Sequence, residues 1–166
     1  FHVHFGQKTI KVIYKTFLIE RCHMRWNAET RYRMLLEINN AVVTRTNREE
    51  LFQALAKELR KHFAFDRMAI NLYDAKSQSF SYFAAADGIQ PGGGMTRLSR
   101  PIADGAIARM VVHSRQPTII DDLRRYTDLS SIGAMVEAGL NATMAFPMLV
   151  RNRILGSIHF SFRTAP

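Results

Sequence analysis

Three segments with strand-like alternation carry the side chains best suited to chemistry. Between Asp66 and Asp74, Met68, Ile70 and Leu72 point to one face, and Ala69, Asn71 and Tyr73 to the other. Between 142 and 150, Met144, Phe146 and Met148 oppose Thr143, Ala145 and Pro147. Between 153 and 162, Ile154, Ile158, Phe160 and Phe162 oppose Leu155, Ser157, His159 and Ser161. The bulky apolar sets mark a face packed on helices. The second face offers Asn71, Thr143, Ser157, His159 and Ser161 as hydrogen-bonding groups, with Tyr73 and Ala145 beside them. It is too small and polar for solid packing, and suits water or a small ligand. His159 has two readings, a donor to a ligand carboxylate with ordinary titration near pH ~6.5, or a histidine bonded to a neighbouring strand side chain. The sequence leaves both open.

Other constellations fall short of catalysis. Asp121 and Asp122 are adjacent, so in an extended segment they diverge and cannot act as a paired acid and base. The glycine-rich stretch Asp87 to Gly94 has neither a following Lys-Ser/Thr nor an immediate helix start, so it reads as a flexible loop and not a phosphate cradle. His2 and His4 share a strand face, but two ligands make no metal site. No Ser-His-Asp or Cys-His arrangement follows from spacing. The expectation is a protein that is not an enzyme and holds no cofactor or metal.

Residues 95–125 carry Arg97, Arg100, Arg109, Arg115, Arg124 and Arg125 against Asp104, Asp121 and Asp122. A guanidinium fork suits carboxylates, so an anionic or carboxylate-bearing ligand is expected rather than a cation.

The 166 residues fit one domain with a real core. The net charge of +9 divides into +3 over residues 1–30 and +6 over the remainder. It forms no stripe, and no basic run exceeds two residues, as in Arg124-Arg125, which argues against direct nucleic-acid binding. No apolar run of about 18 residues encodes a membrane span, and no membrane insertion is expected. The lone Cys22 cannot form an internal disulfide, consistent with a cytoplasmic location.

The elements that must position these groups follow from periodicity. Residues 1–27 read as a linker or upstream segment: a helix, a stray strand or vector-derived residues. Residues 28–166 read as the folded domain. Met34, Ile38, Ala41 and Val42 mark a first helix, and Leu51, Leu55, Leu59 and Phe63 a second, opened by Asn47 and Glu50 at capping-box spacing. Strands follow over 66–74 and 79–86, then near Thr96 to Ser99. A helix opened by Asp104-Gly105 shows Ile107, Met110 and Val111 on one face and stops before Pro117. A brief strand covers Thr118 to Ile120, and a short helix capped by Ser130 or Ser131 ends at Gly139. Strands over 142–150 and 153–162 turn at Arg151-Asn152. The order is α+β with a mostly antiparallel sheet.

This order and its punctuation resemble the GAF domain family over roughly residues 30–163. The resemblance rests on Leu35-Leu36-Glu37-Ile38-Asn39, Glu50-Leu51-Phe52-Gln53-Ala54-Leu55, Phe65-Asp66-Arg67, the run Gln116 to Leu123, Glu137-Ala138-Gly139-Leu140, Phe146-Pro147-Met148-Leu149 and Ile154-Leu155-Gly156. The sequence is most similar to the sensory domains of formate-hydrogenlyase-activator-type transcription regulators and sensor histidine kinases. The resemblance implies a GAF-like sheet of five to six strands, helices on one face, and on the other a ligand pocket roofed by residues 87–138. Asn71, Tyr73, Arg97, Arg100, Ile107, Met110, Val111, Thr143, Ala145, Ser157, His159 and Ser161 would line it. It implies a small-molecule sensor in signal transduction or transcription control, working as a homodimer through amino-terminal helices bearing Leu35 and Val43, and joined covalently to an output domain. The alternative is a degenerate pocket in a dimerisation or spacer module. Departures matter too: Asn141-Ala142 and the lack of Asp-Glu after Phe146 argue against cyclic nucleotides. Cys22 lies outside the matched region, which argues against a covalent bilin, and the cysteines of free-methionine-sulfoxide reductases are missing there.

Overall fold

The computed structural model describes residues 48–61, 64–86, 99–101, 106–150 and 152–164, together with Glu29, Arg33 and Leu36. The chain divides into two units between Ala64 and Phe65.

In the first unit, Glu29, Arg33 and Leu36 are helical and exposed. The other residues of the expected first helix lie outside the described residues. Helix α1 (Arg48–Arg60) is rich in good helix formers and carries Lys57 and Arg60 in its last turn, where the helix dipole favours cations. Phe52, Leu55, Ala56 and Leu59 are buried, the i, i+3, i+4, i+7 spacing of one apolar stripe. Leu55 and Leu59 of the expected stripe are thus buried, and Phe52 and Ala56 join them. Asn47 and Phe63 lie outside the described residues.

The second unit is a sheet of β1 (Arg67–Asp74), β2 (Ser79–Ala86), β3 (Ser99–Pro101), β4 (Thr118–Ile120), β5 (Ala142–Val150) and β6 (Arg153–Phe162). Its order is β3-β2-β1-β6-β5-β4, and every neighbouring pair is antiparallel. Helix α2 (Ala106–Ser114), a 3₁₀ turn (Leu123–Tyr126) and helix α3 (Ser130–Glu137) fall between β3 and β5 in the chain. This is the expected α+β architecture.

Local chemistry explains the joints. Asp74 accepts hydrogen bonds from the Lys76 backbone N–H and the Ser77 hydroxyl, both at 2.9 Å, and so shapes the β1–β2 turn. Asn152 turns β5 into β6 at φ 65°, a conformation Asn tolerates. Gly139 takes φ 80° just past α3. The cap of α3 differs from expectation: Ser130 is already helical, and Leu129 stands at the N-cap with no side-chain hydrogen bond. The 3₁₀ turn was not expected. Asp122 caps it by accepting the Arg124 N–H at 3.1 Å. Pro147 is tolerated inside β5 because β4 pairs only with residues 143–145, so that among the described residues no strand pairs with that edge farther along.

Alternation is broken once in β6. The pairing of β5 with β6 shifts between Met148 and Leu149, so that Gly156 opposes Met148 while Ile154 opposes Leu149. The extra residue, Leu155, makes a bulge, and Gly156 adopts φ 145°. Ile154 consequently packs with Phe80, Ala108, Val112 and Tyr73. The expectation that it shares a face with Ile158 and Phe160 is incorrect, because a bulge reverses the parity of everything before it.

Candidate functional site

Register lines up the second sheet face in rows. Arg67, Ser161 and Thr143 face one another across β1, β6 and β5. Ala69, His159 and Ala145 form the next row, and Asn71, Ser157 and Pro147 the one after. Arg67, Asn71, Thr143, Ser157, His159 and Ser161 are the buried polar residues among the described residues of this unit, and all six fall on this face. The opposite face carries Met68, Ile70, Phe146, Met148, Ile158 and Phe160, all buried. Phe160 there makes edge contacts with Phe65 and Phe146 at centroid distances of 5.3 and 6.4 Å.

Two apolar clusters flank the polar rows and show what covers them. Ile107 and Val111 of α2 pack with Ile120, Leu123, Ile132, Leu140 and Ala145. Ala108 and Val112, on the adjoining stripe of α2, pack with Phe80, Tyr73 and Ile154. Helix α2 therefore lies on the polar face, anchored on both sides. Fully burying each large aliphatic side chain is worth about 1.5–3 kcal/mol, enough for these anchors to hold the helix down.

The hydroxyls are not all equivalent. Thr143 Oγ1 donates to the Phe160 carbonyl at 3.1 Å and lies 3.1 Å from Ser161 Oγ. Each hydroxyl has a single hydrogen, so with Thr143 committed to the carbonyl, Ser161 is the donor within the pair. This pair staples β5 to β6. Ser157 Oγ lies 2.7 Å from His159 Nε2, a short buried contact that fixes the imidazole plane. The contact of the second of its two sequence readings is therefore present, with Ser157 of the same strand as the partner.

The remaining expected site residues are less uniform. Tyr73 lies on the same strand face, but its ring packs on Phe80 at 5.6 Å and its hydroxyl accepts from Gln78 Nε2 at 2.8 Å. It belongs to the hairpin end and not to the polar rows. Met110 is 38 % exposed. With 100° per residue it lies about 130° from the centre of the buried stripe formed by Ile107, Ala108, Val111 and Val112. The grouping of Met110 with Ile107 and Val111 on one face is therefore corrected. Arg100 sits in β3 in register with Phe80, and Arg97 lies outside the described residues. Asp121 is exposed, whereas Asp122 binds Arg124 Nε at 2.8 Å, so the two acids do separate jobs. The Arg124 side chain, followed by desolvation and the Arg124 backbone bond, sets the balance that holds the Asp122 carboxyl below its ordinary value.

Sequence reasoning passed over Arg67. The signal was available: alternation counted back from Asn71 and Ala69 reaches it. It is only 7 % exposed, rare for an arginine.

A six-stranded antiparallel sheet whose polar face lies under a crossover helix defines an α+β fold. A model of the GAF domain family matches residues 47–165, and the chain belongs to that family. GAF domains are small-molecule-sensing modules of signalling proteins, generally regulatory. The fold is similar to the GAF domain of a phosphoenolpyruvate-protein phosphotransferase from Coxiella burnetii, with TM-score 0.62 and 17% identity over 84% of this chain and 81% of that one. The corresponding domain from Acinetobacter gives 0.60 and 14% over 81% and 75%. The free methionine-R-sulfoxide reductase of Neisseria meningitidis, solved with its substrate, gives 0.59 and 14% over 89% and 83%. The sequence matches no curated protein. Among the described residues, no helix is long and apolar enough to cross a membrane.

Proposed function

We propose that this chain is a regulatory sensor domain that binds a small, anionic metabolite on the polar sheet face beneath α2 and passes the signal to an output domain. The observation that carries this reading is the one-sidedness of burial: all six buried polar side chains among the described residues of the second unit share one face. Burying polar groups is costly unless they are hydrogen-bonded. A fold with no use for polarity there would carry apolar side chains, as the opposite face does. Asn71, His159 and the serine beside it supply orientation; Ile107 and Val111 supply apolar wall. The excess of arginine over acid in residues 95–125, Arg97 and Arg100 included, favours an anion. The closing rows of the sheet, Thr143 with Ser161, act as structural support for the site.

The reading extends to a cytoplasmic protein of transcription control or histidine-kinase signalling, with residues 28–166 as the sensory domain and residues 1–27 as a linker. A catalytic role is disfavoured. Ser157 and His159 are hydrogen-bonded to each other within the polar face and serve to shape it. The alternative, a dimerisation or spacer module with a degenerate pocket, makes a different prediction. Native mass spectrometry of freshly purified protein tests the choice: a reproducible adduct of small-molecule mass, lost on denaturation, supports the sensor. Bare polypeptide from several expression hosts and growth media supports the spacer.

A further inference from the structure

We infer that Arg115 is a clasp: it ties α2 to the tip of the β5–β6 hairpin, so that the two open as one piece and control access to the polar face. The inference rests on the sensor reading above and concerns how its site opens. Three observations lead to it. Arg115 is the first residue past α2 and has φ 56°. Its guanidinium Nη1 donates to both the carbonyl oxygen and the side-chain Oδ1 of Asn152, each at 3.2 Å. Ile154, two residues beyond Asn152, packs with Ala108 and Val112 of the same helix.

The backbone at Arg115 is the informative outlier. The position after a helix commonly takes a left-handed residue, and glycine fills it without strain. Arginine there costs conformational energy that glycine would avoid. The helix end does not call for a long side chain, because the Arg115 N–H already closes the last turn on the Val111 carbonyl at 2.9 Å. What the long side chain adds is its reach to Asn152. Asparagine suits the other half of the contact, since it tolerates φ 65° and offers a second oxygen to one N–H group. The bulge at Leu155 serves the same junction by turning Ile154 onto α2. Helix and hairpin tip thus meet through one apolar and one polar contact. Farther along β6 come Ser157 and His159 of the polar rows, the latter only 7 % exposed. The clasp itself is exposed, and a single exposed hydrogen bond is weak enough for a joint that opens.

The test needs no ligand. Native-state amide hydrogen exchange reads the opening of α2 and of the hairpin tip. The rate at which diethyl pyrocarbonate modifies His159, resolved by peptide mass spectrometry, reads access to the polar face, with the exposed His113 as internal control. In Arg115→Met, exchange in α2 and at the tip should rise together by about twofold to tenfold, the effect of one hydrogen bond. Modification of His159 should quicken by a similar factor while His113 keeps its rate. Arg115→Lys retains a donor and should restore part of the protection. Arg115→Gly is the sharpest variant, because it relieves the backbone. Its urea midpoint should equal or exceed that of the parent, and His159 should still react faster. Slower modification of His159 in Arg115→Gly, or an unchanged rate in Arg115→Met, overturns the clasp. So does loosening of α2 without the tip, or of the tip without α2. The sensor reading is decided separately, by the small-molecule adduct in native mass spectrometry, so either can fail while the other stands.

Discussion

A Cβ placed on Gly156 would lie 1.9 Å from the backbone oxygen of Asn71. The two residues sit on adjacent strands, Gly156 opposite Leu72 and one place from Asn71's partner Ser157, so glycine at 156 allows β6 to lie this close to the β1 backbone. The backbone at 156 also has φ 145°, which side-chain-bearing residues rarely adopt.

Gly156→Ala should therefore be strongly destabilising. Backbone strain of about 1–3 kcal/mol adds to overpacking against a main-chain atom that cannot rotate away, typically about 1–3 kcal/mol. Urea unfolding is expected to show a loss of about 3 kcal/mol or more, with any ligand affinity reduced alongside. A midpoint equal to that of the parent would show that β6 does not run through the bulge described here.

Thr143 and Ser161 should behave as a coupled unit. Thr143→Val preserves shape but leaves the Phe160 carbonyl and the Ser161 hydroxyl short of a partner, at a cost of about 1–3 kcal/mol. Ser161→Ala removes one acceptor's companion and should cost about 1 kcal/mol. The double variant should lose less than the two losses combined, as contacting residues do. Strict additivity in a double-mutant cycle would argue that the 3.1 Å contact is not a hydrogen bond.

These two relationships also show how far the sequence could be read. Five of the six strands, α2 and α3 follow from alternation, helical spacing and punctuation at Gly139 and Asn152; β3 (Ser99–Pro101) meets the strand expected near Thr96 to Ser99 only at Ser99. Asn71, Thr143, Ser157, His159 and Ser161 come from parity alone. Parity fails at Ile154 because a bulge is not written in apolar pattern; only Gly156, read as a request for unusual backbone, hints at it. Met110 was misplaced because two stripes, 107/111 and 108/112, face different clusters, and a single-stripe reading picks the wrong neighbour. Arg67 was passed over because a charged residue at a strand's start looks like a solvated terminus.

Acid should erase the value of the Asp122 carboxylate. Its folded-state pKa is lowered, chiefly by the Arg124 side chain, so its stabilising effect is complete above the unfolded carboxylate pKa of about 3.9. That effect fades as pH falls through the lower folded value. Asp122→Asn keeps an N-cap oxygen but removes the charge, so the variant should be less stable than the parent at pH 7. The difference should close below about pH 4 and shrink in high salt, because the pair is exposed. A gap that widens toward acid would contradict the assignment. Asp74, lowered first by the Lys76 backbone N–H, should follow the same course.

The exposed helical stripe of Glu29, Arg33 and Leu36, with Leu36 48 % exposed, fits the proposal that amino-terminal helices join two copies. Light scattering on a size-exclusion column should give a dimer mass for the whole chain, and Leu36→Glu should shift it toward monomer. A clean monomer at high concentration for the unaltered chain would rule out self-association through this stripe.

The central claim is that a small molecule sits on the polar face beneath α2, and amide chemical shifts locate it most directly. The ¹⁵N-labelled protein is titrated with the compound released from purified material, or with succinate where none is released. The account predicts that the largest perturbations fall on Arg67, Ala69, Asn71, Ser157 and His159, in three adjacent register rows, with smaller ones along α2. Saturating perturbations confined to the β4 edge around Ile119 or to the amino-terminal unit, with those five amides unmoved, would contradict it.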